Sequence, residues 1–207
     1  MSTFDLASLH ASDAYKLITG VVQPRPIAWV STLSVDGHRN LAPFSFFTVA
    51  SRNPVIIFLS IGETGRENHA QKDTLANLLA TSELVVNIVS EHLLDAMVRS
   101  SADVPSDIDE FDFAGVGAAM SDVVAPPRVA EARVALECRV VETRQWGTDT
   151  TVLAQVLRLH ASDGITDDRF HVDTDALRPV GRSAGASYAV DLAVVPSPPV
   201  PVWEPSR

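Results

Sequence analysis

Short apolar runs separated by polar segments recur along most of the chain. The clearest runs are Ile27–Leu33, Val55–Ser60, Glu83–Ser90, Val134–Thr143 and Val152–Ala161. Such runs, rich in Val and Ile and bounded by turn residues, are typical of β-strands. Many short strands with few helices predict a closed or partly open barrel, so the expected fold class is mainly β (α+β).

Three segments predict short peripheral helices, at Ala11–Ile18, Leu75–Thr81 and His92–Arg99. The second is the most informative, because Asp73 or Thr74 can cap its first turn. The residues expected on its apolar face are Leu75, Leu78 and Leu79.

A β-hairpin is predicted near the N-terminus. The run RPIAWVST at Arg25–Thr32 precedes NLAPFSFF at Asn40–Phe47, and the turn between them contains Asp36-Gly37. Asp-Gly favours a tight hairpin because Gly adopts the positive φ that such turns need. Pro43 cannot donate to a sheet ladder, so the second strand is expected to be an edge, bulged or kinked strand. A kinked strand that offers backbone groups and polar side chains beside aromatic rings suits a flat heteroaromatic ligand.

One domain is expected to account for nearly the whole chain. The segment Ser100–Ala119 is polar and acidic and then rich in Gly and Ala, so we interpret it as a long excursion and not as a second domain. Residues 1–195 are therefore predicted to form a single domain. Residues 196–207 are rich in proline and are predicted to form an extended tail.

Composition narrows the range of partners and compartments. The net charge of −10 over 207 residues argues against a nucleic-acid partner, which needs concentrated Lys and Arg. It remains compatible with a local cationic pocket for one phosphate. There is neither a signal-peptide pattern nor an apolar run of about 18 residues, so we expect a cytoplasmic protein with no membrane partner. The single cysteine, Cys138, lies in an apolar run and is expected to be buried and reduced.

Five segments follow one another in a fixed order along the chain. The hairpin is followed by KDTLANL at Lys72–Leu78, ELVVNIVS at Glu83–Ser90, LEC at Leu136–Cys138, and Gly181-Arg182 with Tyr188. In this order they resemble the flavin reductase-like family, and the resemblance runs from about Tyr15 to Tyr188. The resemblance implies an FMN-binding split β-barrel with a few peripheral helices.

The resemblance also implies where the phosphate of FMN binds. The family places the Lys72-Asp73-Thr74 segment at this phosphate, and a helix start with unpaired N–H groups is suited to an anion. Read alone, the same segment would be an ordinary helix cap. Arg66 is a second phosphate candidate, with a solvated loop arginine as the equal alternative. Arg182 either reaches the ligand or ties down a neighbouring loop.

The flavin ring is expected beside the hairpin. Ser31 and Thr32 end its first strand, at a position that the family uses to contact flavin. The second strand can supply hydrogen-bond donors and a flat apolar wall, although strand alternation allows only every second residue to face the ring. The candidates on this strand are Asn40, Ala42, Pro43, Ser45 and Phe46.

The function that the resemblance implies is that of an NAD(P)H-dependent flavin reductase, which passes a hydride to FMN and then to an acceptor or a partner oxygenase. The family also implies a homodimer. No side chain needs to act as an acid or base, so no catalytic residue is predicted. The alternative is a non-catalytic FMN-binding electron carrier or redox sensor, which needs the same flavin pocket.

Three other patterns are rejected at this level. Gly181–Gly185 matches the nucleophile elbow of α/β-hydrolases around Ser183, but the last histidine, His171, precedes that serine, and the triad order needs it afterwards. The Gly115–Gly117 segment begins like a dinucleotide fingerprint and lacks the third glycine. His160 and His171 flank an acidic segment without standard ligand spacing, so no metal site is predicted. The aspartates of that segment are Asp163, Asp167 and Asp168.

Overall fold

A computed structural model describes residues 1–63 and 71–199. Seven antiparallel strands form the main sheet, in the order β3-β2-β6-β9-β10-β5-β4. The strands of this sheet are β2 (Ala28–Leu33), β3 (Arg39–Phe44), β4 (Phe47–Arg52), β5 (Val55–Gly62), β6 (Glu83–Ile88), β9 (Val134–Trp146) and β10 (Asp149–Ala161).

Shorter elements surround this sheet. The helices are α1 (Ala11–Val21), α2 (Asp73–Thr81), α3 (Leu94–Arg99), α4 (Glu110–Ala114) and α5 (Thr174–Leu177), with 3-10 turns at Leu6–Ser8 and Glu91–Leu93. The two-residue strands are β1 (Arg25–Pro26), β7 (Ala118–Ala119), β8 (Arg128–Val129), β11 (Gly181–Arg182) and β12 (Tyr188–Ala189). Within the described residues, no helix is long and apolar enough to cross a bilayer.

The sheet curls into a split barrel. Strands β3 and β4 stand at opposite ends of the strand order, yet only Ser45 and Phe46 separate them in the chain. Because two residues cannot span an open seven-stranded sheet, the two end strands must lie close together. A hydrogen bond of 2.9 Å from Ser60 N to Phe46 O ties this crossing to β5. We call the place where β3 passes into β4 the seam.

Two apolar clusters lie on the two faces of the hairpin strands. Ala28, Val30 and Phe44 belong to the barrel core, where they meet residues of β5, β6, β10 and α2. Trp29 and Leu41 face the other way and pack with residues of α3 and α4. Because side chains alternate along a strand, both faces of β2 are covered. This explains why its sequence is an almost continuous apolar run.

The hairpin prediction is confirmed in its details. Ser34 N and His38 O are bonded at 2.9 Å across the turn, and Gly37 has a φ of +87°. Strand β3 pairs only with β2 in the described sheet, so Pro43 lies on an end strand as expected.

Several predicted boundaries were wrong. Helix α1 continues to Val21, three residues past the predicted end. The helix predicted over His92–Arg99 is divided into a 3-10 turn and α3. The hairpin strands β9 and β10 extend further toward their shared turn than expected, because each strand pairs with the backbone N–H and C=O groups of the other there. The long excursion contains the short helix α4.

Helix α2 closes one end of the barrel. Leu75 and Leu78 lie in the barrel core, whereas Leu79 is 54% exposed, so its predicted place on the apolar face was wrong. The helix touches the barrel along a narrow stripe, and Leu79 falls outside that stripe. Lys72, and neither Asp73 nor Thr74, occupies the N-cap position, because the helix already begins at Asp73.

The C-terminal segment is irregular where it is described. Residues 190–199 form neither helix nor strand, and residues 200–207 lie outside the described part of the chain. The division into a domain at 1–195 and a tail at 196–207 stays a prediction.

Candidate functional site

The N-terminus of α2 is a helix start without a side-chain cap. Lys72 has an extended backbone, with φ −70° and ψ 145°, and no side chain caps the first turn within the described residues. The Lys72 ammonium lies 5.4 Å from the centroid of the Phe44 ring. The first N–H groups of a helix carry a partial positive charge. This helix start therefore has the chemistry of an anion site.

A cavity of about 410 Å³ opens at this helix start, and we call it the α2 cavity. Its volume falls within the range of small-molecule sites. One wall is the end of β3 and another is the segment that follows α3. The lining residues are Asn40, Ala42, Pro43, Phe44, Glu63, Gln71, Lys72, Asp73, Thr74, Ser100, Ser101, Ala102, Asp103 and Glu110.

A buried polar network holds the hairpin against α2. The Asn40 amide lies 3.0 Å from the Thr74 hydroxyl, and the Asn77 amide donates to Thr32 Oγ1 at 3.0 Å. All four residues are at most 9% exposed. Turning the Asn40 amide so that its nitrogen faces Glu110 lets its oxygen accept from both threonine hydroxyls and from a backbone N–H. The Thr74 hydroxyl is thus already engaged inside the protein.

A second cavity of about 320 Å³ adjoins the first across the seam, and we call it the arginine cavity. The two cavities share Pro43, Phe44 and Ser101. The remaining lining residues of the arginine cavity are Tyr15, Lys16, Thr19, Arg25, Ile27, Ser45, Met97, Arg182, Gly185 and Tyr188.

The predicted site residues divide among these places. Six line the α2 cavity, namely Asn40, Ala42, Pro43, Lys72, Asp73 and Thr74. Ser45 and Arg182, together with Pro43, line the arginine cavity. Ser31, Thr32 and Phe46 line neither of the two cavities. Arg66 lies outside the described residues, so its role stays a prediction.

The three residues outside the cavities have structural contacts. The Ser31 hydroxyl donates to the carbonyl of Pro127 at 2.5 Å, and Thr32 belongs to the buried network described above. The Phe46 ring lies 6.3 Å from the Tyr15 ring and 5.8 Å from the Arg25 guanidinium. Phe46 therefore lies beside two lining residues of the arginine cavity.

Sequence reasoning missed several lining residues of these cavities, and three of them have informative positions. Arg25 begins the RPIAWVST run, and only the tertiary structure reveals that it is 7% exposed. Glu110, at the start of α4, accepts a hydrogen bond from Leu41 N. Tyr15 reaches the arginine cavity from α1. The family order of motifs marked Tyr188, but no local signal in the sequence distinguishes the other three residues.

The acidic and histidine-containing patterns form two separate clusters. His171 Nδ1 lies 3.1 Å from Asp167 Oδ2 in an exposed turn, whereas His160 pairs with the fully buried Glu137. The carboxylate of Glu137 also accepts the backbone N–H groups of residues 122–124. Burial alone would raise the pKa of Glu137, but these hydrogen bonds and His160 outweigh it and hold the pKa below the ordinary glutamate value. Glu137 therefore anchors a loop to the sheet.

The nucleophile-elbow and dinucleotide-fingerprint patterns, which the sequence analysis rejected, do not have the local structures that these motifs require. Ser183 lies between the paired strands β11 and β12, and its N–H bonds to Ser187 O at 2.9 Å. A nucleophile elbow requires a strand-to-helix turn instead. Gly115 is the C-cap of α4, with a φ of +76°, and follows a helix where a dinucleotide fingerprint would follow a strand.

Comparison with known proteins gives a consistent picture. The model of the flavin reductase-like domain matches residues 23–176. An uncharacterized protein of Aquifex aeolicus is 38% identical over 174 residues, which cover 84% of this chain and 88% of that protein.

Solved structures agree over almost the full length. Nitrilotriacetate monooxygenase component B from Bacillus cereus has a TM-score of 0.90 at 28% identity, covering 95% of this chain and 98% of its own. The 2-nitrobenzoate 2-nitroreductase of Pseudomonas fluorescens has a TM-score of 0.88 at 28% identity, covering 99% of both chains. A split-barrel protein from Shewanella frigidimarina, 18% identical with a TM-score of 0.82 over 94% of this chain and 96% of its own, shares the fold.

Proposed function

Because the chain belongs to the flavin reductase-like domain family, we propose that it is an FMN-binding oxidoreductase. We propose more specifically an NAD(P)H-dependent flavin reductase that passes a hydride to FMN and then reduced flavin or electrons to an acceptor. The observation that carries this proposal is the uncapped start of α2, which opens with Lys72 into a cavity bounded by the end of β3.

The residues present fit the phosphate end of FMN. The first N–H groups of α2 and the Lys72 ammonium are suited to a terminal phosphate dianion. The same cavity also carries the carboxylates of Glu63, Asp73, Asp103 and Glu110. Attraction for a phosphate must therefore come from these local donors, since the cavity as a whole is not cationic.

The ring end would lie against the seam. Pro43 and Phe44 provide apolar surface at the border of the two cavities, and β3 is an end strand, so one side of its backbone is not paired with another strand. Bound FMN would supply the capacity to accept a hydride and to release electrons. The protein's contribution is position and a fixed set of donors, so the proposal requires no acid or base side chain.

Flavin titration tests the cofactor. We expect visible flavin absorbance after addition of FMN and tighter binding of FMN than of FAD, measured by quenching of flavin fluorescence. The reason is that a helix start suits a terminal dianion better than a pyrophosphate joined to adenosine. Equal or tighter binding of FAD would contradict the proposed phosphate site.

Stopped-flow reduction tests the activity. NADH or NADPH should bleach the oxidised flavin band much faster than it bleaches free FMN, and turnover should continue with excess FMN. Bleaching at the rate of free FMN would leave the alternative of an FMN-binding electron carrier.

The name of the neighbour from Bacillus cereus, a monooxygenase component B, supports an oxygenase as the acceptor. We also propose a homodimer, which light scattering coupled to size exclusion would test.

A further inference from the structure

The flavin site proposed above uses the lining of the arginine cavity only at Pro43 and Phe44, which border both cavities. We propose that the arginine cavity binds the carboxylate or phosphate group of the second substrate, the molecule that exchanges electrons with the flavin. This inference rests on the proposed function, because it places that molecule beside a flavin in the α2 cavity.

The charge of the arginine cavity differs from that of the rest of the protein. The chain carries 26 acidic residues against 16 Lys and Arg. The described lining of the arginine cavity nevertheless includes Lys16, Arg25 and Arg182 and contains neither Asp nor Glu. Lys16 is paired with Asp13 at 2.9 Å, so Arg25 and Arg182 are the two cations of this lining that have no carboxylate partner among the described residues. The α2 cavity next to it is lined by four carboxylates and one lysine. An anionic ligand is therefore favoured on the arginine side of the seam.

Arg25 is the strongest element of this argument. It is 7% exposed, and its Nη1 donates to the carbonyls of Thr19 and Val22 at 2.6 and 2.7 Å. Its Nε lies 3.4 Å from Ser45 Oγ. Among the described residues it has no carboxylate partner, and its Nη2 makes no hydrogen bond. A buried guanidinium without a counter-ion is costly, and an oxyanion in the cavity would offset that cost.

Arg182 provides a second cation with a fixed orientation. Its guanidinium carbon lies 4.7 Å from the centroid of the Tyr188 ring, and its Nη2 donates to Gly185 O at 2.6 Å. An arginine held in this way loses little entropy on binding, and its planar fork matches a carboxylate or a phosphate. Tyr15 and Phe44 add aromatic surface for the planar body of a ligand.

The position of the cavity connects this anion site to electron transfer. Pro43, Phe44 and Ser101 line both cavities, so a ligand in the arginine cavity would lie beside the flavin. Two sources offer the required chemistry. One is the phosphate of a nicotinamide dinucleotide, and the other is the carboxylate of an aromatic acceptor.

Calorimetric titration of the purified full-length protein, with and without FMN, tests the proposal. The probes are NAD⁺, NADP⁺ and benzoate, none of which reduces flavin. We expect at least one to bind, and Arg182→Gln to raise its Kd roughly tenfold or more, as expected for loss of a charged hydrogen bond. The affinity for FMN, from fluorescence quenching, should stay unchanged. Arg25→Lys, which keeps a charge, should give a smaller loss and a native circular dichroism spectrum.

Arg144→Gln is the matched control. Arg144 also stacks on an aromatic ring, with its guanidinium carbon 4.1 Å from the centroid of Trp146, but it lines neither cavity, so ligand affinity should not change. The proposal is overturned if no probe binds, or if Arg182→Gln leaves the Kd unchanged. It is also overturned if Arg182→Gln weakens FMN binding, which would assign Arg182 to the cofactor and leave the flavin function standing. Failure of the unmodified protein to bind FMN would instead refute the proposed function.

Discussion

Two substitutions at the start of α2 should separate a role in binding from a role in stability. Lys72→Ala removes an ammonium that contacts the Phe44 ring at 5.4 Å, an interaction that contributes about 0.5–1 kcal/mol to stability at an exposed site. If that ammonium also donates to the FMN phosphate, its loss costs about 1.5–3 kcal/mol of binding. We therefore expect the Kd for FMN to rise roughly 10- to 100-fold, with little change in the free energy of unfolding.

Thr74→Val should show the opposite balance. Thr74 is 1% exposed and its hydroxyl lies 3.0 Å from the Asn40 amide. Valine keeps the shape but leaves the buried amide with one partner fewer, which costs about 1–3 kcal/mol of the free energy of unfolding. We expect this loss in urea denaturation followed by tryptophan fluorescence. FMN binding should weaken less than in Lys72→Ala, because the Thr74 hydroxyl is engaged with Asn40 and its loss acts on the phosphate site only through the position of the helix start.

The control for lost charge is Arg52→Ala, which removes an exposed cation that lines neither cavity. FMN affinity that is unchanged in both Lys72→Ala and Thr74→Val, with the fold retained, would refute the placement of phosphate at this helix start. The segment would then be an ordinary helix cap.

Three further predictions concern residues outside the α2 cavity. Glu137→Gln should lower the free energy of unfolding by about 3–5 kcal/mol, as for breaking a buried charged pair, whereas exposed Glu142→Gln on the same strand should have almost no effect. The pKa of Glu137 is lowered in the folded state, so the stabilisation by its carboxylate is full above the ordinary pKa of 4.5 and declines as pH falls through the folded-state pKa. The difference in the free energy of unfolding between Glu137→Gln and the unmodified protein should therefore narrow in acid. A difference that does not depend on pH would contradict this reasoning. Burial raises the pKa of Cys138 to about 12, so a thiol reagent should label it slowly until urea is added, and rapid labelling of the native protein would show that the thiol is accessible. Ser183→Ala should retain NAD(P)H-dependent flavin reduction, because the β11–β12 loop gives that serine no elbow geometry; loss of activity at unchanged FMN affinity would reopen a catalytic role.

The parts of the fold that the sequence predicts are those that local chemistry determines. The Asp36-Gly37 turn needs a positive φ that glycine adopts easily, and Pro43 cannot donate within a sheet interior. Both constraints act within a few residues, so the hairpin and its edge strand follow from the sequence. The start of α2 at Asp73 was predicted within two residues for the same reason, since it depends on residues of one turn.

The parts that the sequence does not predict depend on which elements meet. The exposure of Leu79 is set by how narrowly α2 touches the barrel, and periodicity alone cannot provide that width. Arg25 looks like a polar residue before a strand, and its burial results from the packing of α1 and the seam around it. Glu110 reaches the hairpin from a segment about 70 residues later in the chain, as its bond to Leu41 spans 69 positions.

The seam explains why the NLAPFSFF segment at Asn40–Phe47 carries residues of both cavities. Strand alternation would place Asn40, Ala42 and Phe44 on one side of a regular β-strand. The chain instead leaves the sheet after Phe44 and, with only Ser45 and Phe46 between, enters the opposite end of the strand order at Phe47. Residues before the crossing therefore line the α2 cavity, Ser45 lines the arginine cavity, and Pro43 and Phe44 border both. A short crossing thus places a proposed flavin site and a proposed anion site side by side, with Phe44 in the lining of both.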